Sequence, residues 1–384
     1  MNTIPISLYI HLPWCVRKCP YCDFNSYALP QDSIEDKYVD ALIEDLEAEI
    51  LRLRLRMTRQ LHSIFIGGGT PSLFSAQSID KLLNNIHQLI NFKPNIEITM
   101  EINPGTCDQP KLIDLHAAGI NRLSIGVQSF QNDKLKSLGR IHDKNDAINI
   151  IKMAQQAKFT NLNFDLMHGL PNQTCQDALD DLHTAITLQP THISWYQLTI
   201  EEHTPFGQNP PILPTEETIL AMQQQGMALL AEAGFKRYEI SNYCKNGYEC
   251  QHNLNYWQFG DYLAIGAGAH GKITDPETKA ITRYCKPSDP ANYIYACHSE
   301  SFATLEDKLR EESRLPLDFM LNTLRLTEGV PAKLFTERTG MELASITPQL
   351  KNAINQGLIE DNAERIKPTP HGQQFLNQCL DIFC

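Results

Sequence analysis

Apolar and polar positions change period along this chain in a regular way. Short alternating or β-branched runs predict strands at 4–12, 62–66, 96–102, 122–127, 161–167 and 192–200. Each is followed by a longer stretch with apolar residues three and four positions apart. These stretches predict helices at 33–57, 76–90, 109–118, 144–157, 176–188 and 216–233. The first has Ser33 as N-cap and Asp36 three residues on, with Ile34, Val39, Leu42, Ile43, Leu46 and Ile50 as its apolar positions. Strands alternating with helices of this length build right-handed βαβ units around a parallel sheet. Six units in a row predict an α/β fold, a partial (β/α)6 barrel in preference to a doubly wound sheet.

Chemistry in such barrels sits on the loops after the strand C-termini. Glycine and proline punctuation falls at those places: Gly67-Gly68-Gly69, Pro104-Gly105, Gly169 and Pro171. The pattern loosens after the sixth unit. The expected division is a barrel core at 1–235, an irregular extension at 236–303 and a C-terminal domain at 304–384. In the last, helical patterns at 306–325, 331–339 and 346–356 precede a hairpin pattern at 358–360 and 364–368, then a final helix. That order is similar to a small α+β winged helix. The domain holds more acidic than basic residues and no basic stripe, so a covering or partner-facing role is expected, not DNA binding.

Composition narrows the partners. The chain has 384 residues, with 33 Lys and Arg against 45 Asp and Glu, a net charge of −12. Counterion release gives a chain of that sign little affinity for nucleic acid. No apolar run reaches the ~18 residues of a membrane helix. The first residues carry neither a basic n-region nor a small-residue cleavage site, so the expected compartment is the cytoplasm. Eleven cysteines cannot all pair, and in a reducing compartment clustered cysteines point to metal binding or catalysis ahead of disulfides.

Three of those cysteines stand together on the loop after the first strand, in Trp14-Cys15-Val16-Arg17-Lys18-Cys19-Pro20-Tyr21-Cys22-Asp23-Phe24. The spacing is C-x3-C-x2-C. Three thiolates on one loop can wrap a compact cluster and leave one iron open, whereas a [4Fe–4S] centre normally takes four cysteines. Trp14, Tyr21 and Phe24 interleave the cysteines and would shield such a centre. Zinc is the alternative, with His11 as the available fourth ligand. The other cysteines show no metal spacing and read as small buried hydrophobes or surface thiols.

On these residues the chain resembles the radical S-adenosylmethionine (SAM) superfamily, and over essentially its whole length the branch similar to oxygen-independent coproporphyrinogen III oxidases. The resemblance implies a [4Fe–4S] cluster on Cys15, Cys19 and Cys22, with SAM bound at the open iron. It implies that Gly68, Gly69 and Thr70 lie against the amino-acid end of SAM. It implies further SAM contacts at Tyr9, Glu101, Gln128, Arg140 and Asp165, all but Tyr9 at or just past later strand ends.

Within that branch two functions are known. The oxidases carry another cysteine two residues past the third and a longer N-terminus. Here that position is Phe24, and 14 residues precede Cys15. Both features match the haem-chaperone type instead. The row His252-Asn253-Leu254-Asn255-Tyr256-Trp257 is similar to a motif linked with haem binding in that type. A neutral imidazole suits haem iron, and Tyr256 and Trp257 offer flat apolar surface. The expectation is a haem chaperone that binds the cluster, SAM and haem, with His252 as haem ligand, and passes haem to an acceptor protein. The alternative is radical decarboxylation of coproporphyrinogen III. Whether SAM is cleaved stays open, and a homodimer is compatible with the residues but not demanded by them. His270, in a glycine-rich row, reads as part of a tight turn near the barrel mouth.

Overall fold

A computed structural model describes residues 4–30, 34–53, 55, 59–299, 304, 306–309 and 314–384. Six strands, β1 (Ile6–Leu12), β2 (Leu61–Gly68), β3 (Phe92–Ile102), β4 (Arg122–Gln128), β5 (Asn161–His168) and β6 (His192–Gln197), pair in parallel in sequence order. Helices α1 (Glu35–Arg52), α2 (Ala76–Leu89), α3 (Gln109–Ala117), α4 (Asn132–Ser137), α5 (Lys144–Gln156), α6 (Cys175–Thr187) and α7 (Glu216–Glu232) fill the connections. Asp143 and Thr174 close capping boxes on α5 and α6, which fixes where these helices start. The proposed cap Ser33 lies outside the described residues.

Alternation along β1 sets the layers. Ile6, Leu8, Ile10 and Leu12 belong to the large core that the helices help to form. Ser7, Tyr9 and His11 point the other way, into the barrel. The barrel interior is therefore largely polar and bridged by cross-strand bonds, such as Ser7 to Ser63 at 2.8 Å, with Thr99 Oγ1 and Arg122 Nε left buried without a partner.

Residues beyond 235 extend the same sheet at both ends. β7 (Lys236–Arg237) and β8 (Asn242–Cys244) add antiparallel next to β6. β9 (Asp261–Ile265) pairs parallel with β1, so seven parallel strands stand side by side. β10 (His270–Thr274), β11 (Ile281–Cys285) and β12 (Glu306–Leu309) continue antiparallel from β9. The twelve strands end at β12 and β7 without meeting, so the barrel is partial. Helices α8 (Gln251–Trp257) and α9 (Pro290–Cys297) interrupt this extension.

The helix expected over 306–325 is shorter than its pattern. Residues 306–309 form β12, because β11 offers an open edge, and α10 (Leu315–Thr323) starts with Pro316 in its first turn. The C-terminal region has its own core, including Phe319, Leu334, Phe335 and Phe383. Pairing between Ile359 and Pro368 joins the arms of the expected hairpin. Val330–Pro331 also pairs with Arg365–Ile366.

A buried ion cluster ties the antiparallel wing to α1. Lys286 donates to Asp45 at 2.6 Å and Glu49 at 2.7 Å, and the Tyr293 hydroxyl donates to Asp45 at 2.7 Å. Removing the cation would leave the buried Asp45 carboxylate without its counterion, while Glu49 keeps Arg52 at 2.8 Å. Lys286→Met is expected to lower stability in urea unfolding by about 3–5 kcal/mol. Adding Asp45→Asn to that variant should recover part of the loss.

Candidate functional site

At the C-terminal ends of the strands lies a cavity of about 440 Å³. Cys15, Cys19 and Cys22 line one side. Gly68, Gly69, Thr70, Glu101, Gln128, Arg140 and Asp165 line the rest, together with Asn103, Ser194, Tyr196 and Asn242. Seven of the eight proposed SAM residues therefore share one space with the three thiols.

The cysteine loop has little secondary structure of its own. Trp14–Cys15 pairs with Tyr27–Ala28, and the Cys22 amide donates to the Cys19 carbonyl at 3.1 Å. Close backbone approach holds the loop down. The Gly69 amide donates to the Leu12 carbonyl and the Thr70 amide to the Trp14 carbonyl, at 2.8 and 2.7 Å. A Cβ at Gly69 would meet the Trp14 oxygen at 2.6 Å. The Gly68 amide donates to Glu101 at 3.1 Å. The glycine run thus offers proximity and carbonyls rather than free amides, since its donors already have acceptors.

Behind the loop stands a second clamp. Asn25 donates to the carbonyls of Ala267 and Ser288 at 2.9 and 2.8 Å. Gly268 leaves room for it, because a Cβ there would lie 2.4 Å from the Asn25 amide nitrogen. The Tyr38 hydroxyl donates to the His11 carbonyl and accepts from the Ala267 amide. The glycine-rich row at 265–271 therefore anchors the cysteine loop, a role its spacing did not signal; His270 itself is exposed.

His11 spends both ring nitrogens within the fold, on the Asn25 carbonyl at 2.8 Å and the Tyr9 hydroxyl at 3.0 Å. It does not serve the cysteines as a fourth ligand. Among the described residues no three His, Cys, Asp or Glu side chains gather on a single metal ion. A four-iron cube takes its thiolates on separate irons, so three thiols that line one cavity without converging on a point fit it better than they fit a single ion. Burial raises the Cys15 and Cys22 thiols above their usual range, and Arg140 beside Cys15 and Lys18 beside Cys22 act the other way. Tyr21 and Phe24 line the cavity, whereas Trp14 is turned into the core against Tyr38. Phe24, where the oxidases have a cysteine, is 59% exposed.

Arg140 lies beside the thiols. It donates to Asn103 at 2.7 Å and the Gly126 carbonyl at 3.0 Å, and stands 3.7 Å from the Cys19 sulfur. Its Nε is buried with no acceptor. That orphan donor beside the cysteines suits a ligand bearing a carboxylate. Gln128 adopts a left-handed φ of 67° as β4 ends, and it accepts from the Tyr196 hydroxyl at 2.8 Å. Asp165 accepts from Ser124 and Asn163 at 2.9 and 2.8 Å, and burial still pushes its pKa up. The Asn163 side-chain Oδ1 meets His192 Nδ1, and His192 Nε2 meets the Tyr238 hydroxyl, at 2.6 and 2.9 Å. Asn103, Ser194, Tyr196 and Asn242 escaped sequence reasoning, although Asn103 stands beside the Pro104-Gly105 signal.

Tyr9 and His252 do not line the cavity. They meet deeper in the barrel, with ring centroids 6.3 Å apart. Burial, then Glu101, raises the Tyr9 phenol. His252 lies 3.4 Å from the Ser63 hydroxyl and 5.2 Å from the Phe65 ring. Burial first, then the charges of Arg122 and His62, lowers its pKa to about 3, so it is a neutral imidazole.

The family follows from comparison as well as from geometry. A model of the radical SAM superfamily matches residues 9–185, and one of the HemN C-terminal domain matches residues 313–375. The chain belongs to the radical SAM superfamily, and within it to the family of proteins named Heme chaperone HemW. It is 49% identical over 380 residues to Heme chaperone HemW of Haemophilus influenzae, covering 99% of this chain and 98% of that one. It is 46% identical to the Escherichia coli protein of that name, covering 99% and 98%, and 34% identical to that of Bacillus subtilis, covering 98% of each. In fold it is similar to coproporphyrinogen III oxidase (HemN) from Escherichia coli, a radical SAM enzyme. The TM-score is 0.83 at 22% identity, covering 99% of this chain and 90% of that one. No helix among the described residues is long and apolar enough to cross a membrane.

Glu101 gives the cavity a pH signature. Burial, then the charge of Asp165, raises its pKa from 4.5 to about 8. A carboxyl whose pKa rises on folding binds its proton more tightly when folded. Its contribution is complete below the unfolded value and is lost as pH rises through 8. The ligand-free protein should therefore lose stability between pH 5 and pH 8. Glu101→Gln should flatten that loss and raise the urea midpoint at pH 8; an unchanged pH dependence would show that Glu101 is not the group responsible.

Proposed function

We propose that this chain is a haem chaperone that binds a [4Fe–4S] cluster, SAM and haem, and delivers haem to an acceptor protein. The observation that carries the cofactor part is the shared cavity: three thiols, two carboxyls with raised pKa and an arginine with an unfilled donor face the same space. Cys15, Cys19 and Cys22 would hold the cluster, which supplies an open iron for SAM and an electron. Arg140 would pair with the SAM carboxylate. Glu101 and Asp165 would accept from its ammonium and hydroxyl groups, and Gly68, Gly69 and Thr70 would line its amino-acid end. Gln128 is turned onto Tyr196 and would shape the wall. Tyr9 would act from behind, by holding His11 and so the cysteine loop.

The haem part rests on full-length relatives that bear the chaperone name, and on Phe24 at the position of the oxidases' extra cysteine. His252 is kept neutral, as an axial ligand must be. Reaching iron would require the first turn of α8 to lift from the barrel.

Anaerobic reconstitution should give about four iron and four sulfide per chain. Cys19→Ala should lower both; a zinc-only product would sink the cluster assignment. Haemin titration of the reconstituted protein should give a saturable Soret band that His252→Ala weakens. A band indifferent to that substitution would move the ligand elsewhere. No saturable band would remove the chaperone reading in favour of coproporphyrinogen turnover.

A further inference from the structure

Asn163, His192, Tyr238 and Cys250 are buried, and none of them lines the cavity. Together they join its wall to the start of α8. Asp165, on the wall, accepts at Oδ1 from the Asn163 side-chain amide at 2.8 Å. Asn163 Oδ1 faces His192 Nδ1 at 2.6 Å, and His192 Nε2 faces the Tyr238 hydroxyl at 2.9 Å. That hydroxyl accepts from the Cys250 amide at 3.3 Å, and Cys250 is the residue that caps α8. Asn163 and His192 are register partners on β5 and β6, and Tyr238 lies in the turn between β7 and β8. The chain of bonds therefore crosses the sheet from one strand to the next.

Its direction is fixed from both ends. A backbone amide only donates, and an ionised carboxylate only accepts. Tyr238 accepts from Cys250, and its own proton goes to His192 Nε2. His192 is then the Nδ1–H tautomer and donates to Asn163, whose amide nitrogen donates to Asp165. Burial, then the charge of Arg122, holds the His192 pKa well below its usual range, so the ring is neutral and donates once. Burial also keeps the Tyr238 phenol protonated. Side bonds run the same way. Ser194 donates to Asn163 Oδ1 at 3.1 Å, and Ser124 donates to Asp165 Oδ2 at 2.9 Å. Aligned hydrogen bonds in a dry interior polarise one another, and a charged acceptor at the end strengthens the series.

The far end of the chain holds something that needs holding. α8 has seven residues, too few to persist as a helix without outside contacts. Its first turn is gripped at the Cys250 amide by Tyr238 and at the Gln251 amide by Glu97, the latter at 2.8 Å.

We propose that His192 and Tyr238 are positioning residues that couple ligand binding at Asp165 to the seating of α8. The proposal rests on the SAM reading of the cavity. Burial pushes Asp165 toward its protonated form. A ligand that donates to the carboxylate from the cavity keeps it charged, the aligned bonds strengthen, and the grip on Cys250 tightens. By linkage, a seated α8 favours the ligand to the same degree.

The test is amide hydrogen exchange on the anaerobically reconstituted full-length protein, with and without SAM, read at the cysteine loop and at residues 250–257. In wild type SAM should slow exchange at both places, at 250–257 by at least about fivefold, the low end of coupling between sites. Tyr238→Phe removes only the hydroxyl that joins Cys250 to His192. In that variant SAM should still slow the cysteine loop, while 250–257 should exchange equally fast with and without it. A Tyr238 that merely props the helix would speed 250–257 by one factor in both conditions and leave the SAM effect intact; that result would overturn the proposal. Wild-type 250–257 indifferent to SAM, beside a cysteine loop that responds, would also overturn it and leave the SAM reading standing. No SAM effect at the cysteine loop of wild type would remove both. The wild-type comparison decides even if the variant fails to fold.

Discussion

The closeness of Gly69 to Trp14 is the constraint on which the cavity depends. The loop that carries the cysteines is pinned where two backbones touch, with no space for a side chain between them. Two amide–carbonyl bonds follow from that contact, and they fix the start of the loop against the end of β2. Asn25 fixes its other end against the row around Ala267. The thiols of Cys15, Cys19 and Cys22 then face the strand ends because both ends of their loop are held.

A barrel with a polar interior makes the rest of the cavity wall. Inward-facing polar side chains find partners on the next strand, as in the hydrogen bonds from Ser124 to Asp165 and from His192 to the Asn163 side-chain oxygen. The same network positions charge. Glu101 and Asp165 are both buried, and the charge of Asp165 makes ionisation of Glu101 harder. Arg140 answers this from the opposite wall with a guanidinium beside Cys19. The cavity therefore has a thiol side and a carboxyl side, a polarity set by the inward positions of successive strands.

The barrel was readable because its period is local. Strands and helices from 4 to 233 alternate in a way that short-range pattern records, and residues at strand ends share one mouth whatever the details of packing. The antiparallel wing was not readable in the same way. Residues 306–309 carry a helical pattern, yet they form a strand because β11 presents unpaired backbone, and no local signal reports that edge. Tyr9 and His252 show a second limit. Their motifs suggest ligands, but depth within the barrel is a property of the assembled sheet, and both lie beneath the cavity. The row at 265–271 shows a third. Its glycines signal close approach, and only the fold reveals that the neighbours are His11 and Asn25.

Asn25 and Ala267 are 242 positions apart, and the same clamp draws in Tyr293 through the Gly266 amide. Chains are made from the N-terminus, so the cysteine loop emerges early and waits through most of translation for the segment that secures it. Until residues near 290 have left the ribosome, the thiols belong to a tethered loop and not to a finished pocket. The order of synthesis thus completes the pocket only after the sheet is nearly whole, and a nascent chain stalled before β9 would present its three cysteines unguarded.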